Sequence, residues 1–130
     1  MVCIDTSILI DILREDKNTK ELEEYLDRQN KCIASPTVFE LWCGVLLSRR
    51  SEKEKEKVKG LLESLDVLEM DDESSIEAAE IYAELIKRGR EIPPLDAMIA
   101  GIARRKGEKL ITRDEHFRWV EGLNVEIWRR

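Results

Sequence analysis

Four acidic residues occupy four separate local contexts, each built to hold one carboxylate at a common point. Asp5 ends the run Val2-Cys3-Ile4, and Asp114 follows Leu110-Ile111-Thr112-Arg113. Glu40 sits in Thr37-Val38-Phe39-Glu40-Leu41-Trp42, and Asp96 in Pro94-Leu95-Asp96-Ala97-Met98-Ile99. Acids rarely enter such apolar surroundings unless something cationic compensates them. The chemistry this suggests is phosphate chemistry on a hard divalent ion, Mg²⁺ or Mn²⁺. Such ions take oxygen ligands, retain waters and accept phosphate oxygens. His116 is the only histidine, which excludes a two-histidine nuclease mechanism and a His-rich metal site.

Each residue also has a purely structural reading. Asp5, before Thr6-Ser7, and Asp114, before a short helix, fit helix N-caps. Glu40 lies three residues after Thr37, the spacing of a capping box. Asp96 fits the first turn of a helix, where the macrodipole favours an anion. Thr6, Ser7 and Thr112 are placed either to orient carboxylates or to cap turns. Trp42, Trp119 and Trp128 read as core or interface residues. Arg104, Arg105 and Arg113 are candidate contacts for substrate phosphates. Arg104 and Arg105, with Lys106, equally suit the solvated end of a helix.

At 130 residues the chain suits one domain over residues 1–130, able to remove roughly two-thirds of its unfolded surface from water. A hydrophobic content of 42% against 38% charged residues places it among soluble globular proteins. No apolar run approaches a membrane span and no leader pattern opens the chain, so a cytoplasmic protein without a membrane partner is expected. Cys3, Cys32 and Cys43 lack Cys-x-x-Cys spacing and read as buried reduced thiols. The net charge is -6, but it is unevenly spread. Residues 87–130 carry 11 Lys+Arg against 7 Asp+Glu, a net of +4, leaving 11 against 21 before them, a net of -10. The last third therefore offers a local basic surface for a polyanion.

The elements follow from periodicity and punctuation. Val2–Asp5, Cys32–Ala34, Val67–Met70, Lys109–Thr112 and Val125–Trp128 read as five short strands. Between them, helices are expected at Ser7–Leu13, Thr19–Arg28, Pro36–Arg49, from Ser51 to about Leu65, Ser74–Arg88 and Leu95–Arg105. Ser35 and Pro36 supply an N-cap and N1 pair, and Gly89 and Gly107 supply stops. A short helix covers Glu115–Val120. This alternation predicts an α/β fold with a mostly parallel central sheet of about five short strands and helices on both faces. Sites in such sheets form beyond the strands' carboxyl ends, where the strand order reverses. If the first and fourth strands are neighbours there, Asp5 and Asp114 meet.

Four segments resemble the motifs of PIN-domain proteins, in particular the VapC-type ribonuclease toxins. They are Asp5-Thr6-Ser7-Ile8-Leu9-Ile10-Asp11, Glu40-Leu41-Trp42-Cys43-Gly44, Asp96 through Ala103, and Thr112-Arg113-Asp114 with Phe117. The first and third are the more specific. Family members often carry an acid or amide before the phenylalanine, where this chain has His116; assistance to Asp114 from Glu115 or His116 is left open. The resemblance implies a PIN-like fold and Mg²⁺- or Mn²⁺-dependent endoribonuclease activity on transfer or ribosomal RNA. It also implies a homodimer and a cognate VapB-like antitoxin that occludes the site. On this reading Asp5, Asp96 and Asp114 coordinate the metal and Glu40 completes the set, positioning or deprotonating the attacking water. Two alternatives stand beside it. One is a PIN module kept for dimerisation or antitoxin binding; the other is a receiver-like signalling domain. The second ranks low, because the first strand ends on a single acid and no suitable lysine follows a later strand.

Overall fold

The computed structural model describes residues 1–15 and 19–129. Five strands, β1 (Val2–Ile4), β2 (Lys31–Ala34), β3 (Asp66–Leu68), β4 (Lys109–Thr112) and β5 (Val125–Ile127), form one sheet ordered β3-β2-β1-β4-β5. Every pairing is parallel. The strand order reverses at β1, which lies between β2 and β4, and Ile4 there pairs in register with Ile111. The first and fourth strands are thus neighbours at the switch point, which meets the condition for Asp5 and Asp114 to share one edge.

Six helices are present among the described residues: α1 (Thr6–Leu13), α2 (Lys20–Asp27), α3 (Ser35–Leu46), α4 (Ser51–Glu63), α5 (Asp72–Lys87) and α6 (Pro94–Lys106). A 3-10 turn spans Glu115–Trp119. Alternation along the strands sends side chains to both faces. Val2, Ile4, Ile33 and Ile111 enter a core with Ile8, Leu22, Leu41 and Val58 of α1 to α4. Cys3, Cys32, Ala34 and Leu110 enter a second core with Ile81, Ile99 and Ile102 of α5 and α6 and with Phe117. Helices therefore cover both faces, as a parallel sheet requires. Cys3, Cys32 and Cys43 are free thiols, the first two buried and the third partly so. No helix among the described residues is long and apolar enough to cross a membrane.

Several boundaries differ from the expected ones for local reasons. Helix α5 begins ahead of Ser74 because Asp71 caps it, its carboxylate accepting the amide and the hydroxyl of Ser74, each at 2.8 Å. Helix α3 stops at Leu46 instead of Arg49, since Leu46 and Leu47 are 63% and 87% exposed and face no core. Strand β3 ends at Leu68, and the Met70 amide turns to the Ser35 hydroxyl at 3.2 Å. Ser35 thus lies inside α3 with Ala34 as its N-cap, while Pro36 keeps its place in the first turn.

Candidate active site

The site lies at the carboxyl edge of β1 and β4. Asp5 follows β1, and its backbone amide donates to the Ile111 carbonyl at 2.9 Å. Two hydroxyls donate to the same oxygen of its buried carboxylate: Thr112 Oγ1 to Oδ2 at 2.6 Å, and Ser7 Oγ to Oδ2 at 2.8 Å. Neither uses Oδ1. The same hydroxyls also accept amides, Thr112 from Asp114 at 3.0 Å and Ser7 from Arg113 at 3.2 Å. A buried polar cluster thus fixes the end of β1 to the end of β4 with its donors and acceptors matched. Glu40 arrives from α3, where Thr6 Oγ1 donates to its Oε1 at 2.6 Å. Asp96 sits in the first turn of α6, and its carboxylate accepts no hydrogen bond among the described residues. Asp114 Oδ1 accepts the His116 amide at 2.9 Å and lies 3.1 Å from His116 Nδ1.

The electrostatics tie these four groups together. Burial raises the Asp5 pKa, opposed by the hydroxyls of Thr112 and Ser7. Burial also raises that of Glu40; Thr6 opposes this, and the charge of Asp5 adds to it. Asp96 is pushed up to about 7, first by burial and then by the charges of Asp5, Glu40 and Asp114. A carboxyl that feels three other carboxylates defines one shared point of negative potential. Among the described residues no three His, Cys, Asp or Glu side chains close into a ready coordination shell. The set is open, so a small ion held by these carboxylates would need waters to complete its shell.

The capping bonds differ from residue to residue. Asp5 occupies the N-cap position of α1, but its carboxylate serves the two hydroxyls and makes no cap bond. Glu40 forms no capping box with Thr37, whose buried hydroxyl has no hydrogen-bond partner among the described residues; the glutamate is held by Thr6 from another helix. Asp114 does cap the 3-10 turn while facing the other acids. Thr6, Ser7 and Thr112 each donate to one of these carboxylates, Thr6 to Glu40 and the other two to Asp5.

The arginines stand elsewhere than beside the carboxylates. Arg104 and Arg105 lie eight and nine residues beyond Asp96 on α6, about 12–14 Å along its axis. Arg104 pairs with Glu77 at 2.7 Å, and Arg105 with Glu73. Arg113 points into the protein, pairing with buried Asp11 and donating to the Trp128 carbonyl at 2.9 Å. Asp11 closes the first motif, yet its role as the buried anion for Arg113 went unread in the sequence. The i,i+4 step from Ser7 to Asp11 was the available signal, since both face the end of β4.

The PIN domain family model matches residues 2–123, and the chain belongs to the PIN-domain family. It is 32% identical over 126 residues to the tRNA(fMet)-specific endonuclease VapC of Shigella flexneri, covering 96% of each chain. It is 41% identical over 99 residues to ribonuclease VapC3 of Methanocaldococcus jannaschii, covering 76% of this chain and 94% of that one. The fold matches the VapBC complex solved bound to DNA from Salmonella typhimurium with a TM-score of 0.91. That match has 29% identity and covers 99% of this chain and 100% of that one. The PIN-like architecture expected from the four motifs is the one observed.

Proposed function

We propose that the chain is a metal-dependent endoribonuclease, the toxin of a toxin–antitoxin pair. The observation that carries this is the convergence of Asp5, Glu40, Asp96 and Asp114 from separate elements, with the Asp96 carboxyl raised to about 7 by its neighbours. An oxygen-only donor set of this kind suits Mg²⁺ or Mn²⁺ over softer metals. Asp5, Asp96 and Asp114 would hold the ion directly or through water, and Glu40 would complete the set. When bound, the ion supplies a water of lowered pKa and neutralises charge developing on phosphorus.

The chain's own residues do the rest. Thr112 and Ser7 hold the Asp5 carboxylate by Oδ2, which would fix its orientation toward a bound ion. Thr6 fixes Glu40 by Oε1, so that Oε2 can take a proton from the attacking water. The water oxygen bonds to phosphorus, the P–O3′ bond breaks, the 3′ oxygen takes a proton from solvent, and Glu40 returns to solvent the proton it accepted. Products carry 5′-phosphate and 3′-hydroxyl ends, because the 2′-hydroxyl takes no part. Structured RNA of the transfer or ribosomal class is the substrate. Arg104 and Arg105 are candidate contacts for phosphates away from the cut, once their pairs with Glu73 and Glu77 open.

Partner binding fits the same region. A groove of about 430 Å³ beside Glu40 is lined by Ile10, Leu13, Leu41, Val45 and Val58. It suits an antitoxin helix that buries apolar side chains and offers an arginine to the carboxylates. Phe39, Leu46 and Leu47 of and after α3 are exposed and give a second copy of the chain an apolar surface to bury.

The deciding experiment incubates purified protein with transfer RNA in Mn²⁺, in Mg²⁺ and in chelator, and maps the product ends. Metal-dependent cleavage to 5′-phosphate ends is expected. Cleavage that survives chelation, or that leaves cyclic phosphates, would overturn the mechanism. No cleavage under any condition would favour the partner-binding module.

A further inference from the structure

The acid cluster is flanked by an aromatic surface that the hydrolytic chemistry does not use. His116 is 61% exposed, yet its ring is fixed at two points. Its Nδ1 lies 3.1 Å from Asp114 Oδ1, and its ring stands 4.6 Å from that of Trp119, tilted by 42°. Trp119 is itself held: it packs on the core containing Phe117 and Val120, and the Arg90 guanidinium lies 5.2 Å from its ring centroid. The result is an aromatic cluster in which His116 and Arg90 both lie against Trp119, with the largely exposed His116 ring beside a site carboxylate.

We propose that the outer face of His116, backed by Trp119 and Arg90, is a base-stacking subsite for a nucleotide next to the scissile phosphate. This rests on the nuclease reading above. Unpaired RNA bases stack on aromatic rings and guanidinium planes, and such stacking tolerates any base because each has a π-face. A ring already held in place loses little freedom when a base covers it, so the contact is preorganised. Because Asp114 holds the imidazole, a base on its open face belongs to the nucleotide whose phosphate reaches the acids, or to its neighbour. The subsite therefore selects RNA that is locally unpaired at the cut, without reading its sequence.

The test uses the fact that His116 is the only histidine. Its two carbon-bound ring protons are followed by NMR in wild-type protein at fixed pH with Mg²⁺. Adenosine 5′-monophosphate should move both lines upfield and saturate, through the purine ring current. Ribose 5-phosphate, which lacks the base, should not. Equal movement by both, or by neither, would overturn the subsite. In cleavage of transfer RNA, H116Q keeps a donor toward Asp114 but loses the ring. Its KM should rise about five- to a hundredfold, the range of one base stack. H116F restores the ring without the donor and should return KM toward wild type. An unchanged KM in H116Q, or H116F as impaired as H116Q, would also overturn it. If wild type cleaves no RNA, the nuclease reading falls, and the nucleotide titration still judges the stacking surface.

Discussion

The Thr112 hydroxyl serves two of the four acids at once, donating to Asp5 Oδ2 at 2.6 Å while accepting the amide of Asp114 at 3.0 Å. Thr112 is fully buried at the end of β4, so this hydroxyl has no water to turn to. Replacing it with valine keeps the volume and removes both bonds. T112V should lose about 1–3 kcal/mol, the cost of leaving buried polar groups unpaired. Cleavage should fall further than stability, because Asp5 and Asp114 lose their common reference. T112S keeps the hydroxyl and should retain most activity. Wild-type turnover in T112V would show that this hydroxyl does not position the acids.

Asp96 makes stability depend on pH in a direction opposite to most carboxylates. Its folded-state pKa is about 7, above the ordinary value near 4 in the unfolded chain. The folded protein therefore holds the proton more tightly. The stabilisation is fully present below about pH 4 and is lost as pH rises through about 7. For this group the metal-free protein should melt higher at pH 5.5 than at pH 8, by at most a few kcal/mol after solvent screening. D96N should flatten the profile and raise the melting temperature at pH 8. Mn²⁺ should stabilise wild type by about 2.7 kcal/mol at a hundredfold excess over Kd, and the variant much less. Superimposable melting profiles for the two proteins, with and without Mn²⁺, would detach Asp96 from the site.

How far the sequence could be read follows from which interactions are local. Short apolar runs such as Val2-Cys3-Ile4 and punctuation such as Ser35-Pro36 are local signals, so the mostly parallel α/β sheet was legible, whereas the place where its order reverses was not. Each acid announced itself by standing in apolar company. The roles of Arg113 and Asp11 were not legible, because their pairing spans 102 residues and depends on how α1 meets β4. The pairs that Arg104 and Arg105 make with Glu77 and Glu73 were not legible either, since they join α6 to α5, and a helix carries both arginines to the far end of α6 from Asp96. The Asp71 cap of α5 was missed although its signal, an acid three residues before Ser74, is purely local.

Arg113 separates a structural role from an RNA contact. Its side chain is 13% exposed and that of Asp11 is 4%, so R113M takes the guanidinium away from a carboxylate in the interior. Breaking a buried pair on one side costs about 3–5 kcal/mol, whereas replacing both partners with apolar residues is often neutral. R113M should therefore be strongly destabilised, and D11L/R113M should recover much of the loss. A phosphate contact predicts the opposite pattern: near-normal stability in R113M and a raised, salt-insensitive KM.

Gly101 is where the positioning of Asp96 can be tested at a distance. It lies five residues along α6 from Asp96, and a Cβ there would stand 2.7 Å from both the Cα and the N of Ala78 in α5. Helix propensity alone would favour alanine by about 1 kcal/mol. The clash opposes it and wins, because the atoms met are backbone and cannot rotate away; overpacking of this kind costs about 1–3 kcal/mol. G101A should melt lower, by roughly 2–6 °C for each kcal/mol. It should also lose turnover, since α6 can relieve the contact only by moving away from α5 with Asp96 on it. Adding A78G removes the Ala78 Cβ but leaves its Cα and N in place, so it should rescue the variant only in part. Gly60 in α4 meets nothing within 4 Å, and G60A should be neutral or slightly stabilised with turnover intact. If G101A instead behaves like G60A, helices α5 and α6 are not in close contact at this point, and the spacing that sets Asp96 against the other acids must come from elsewhere.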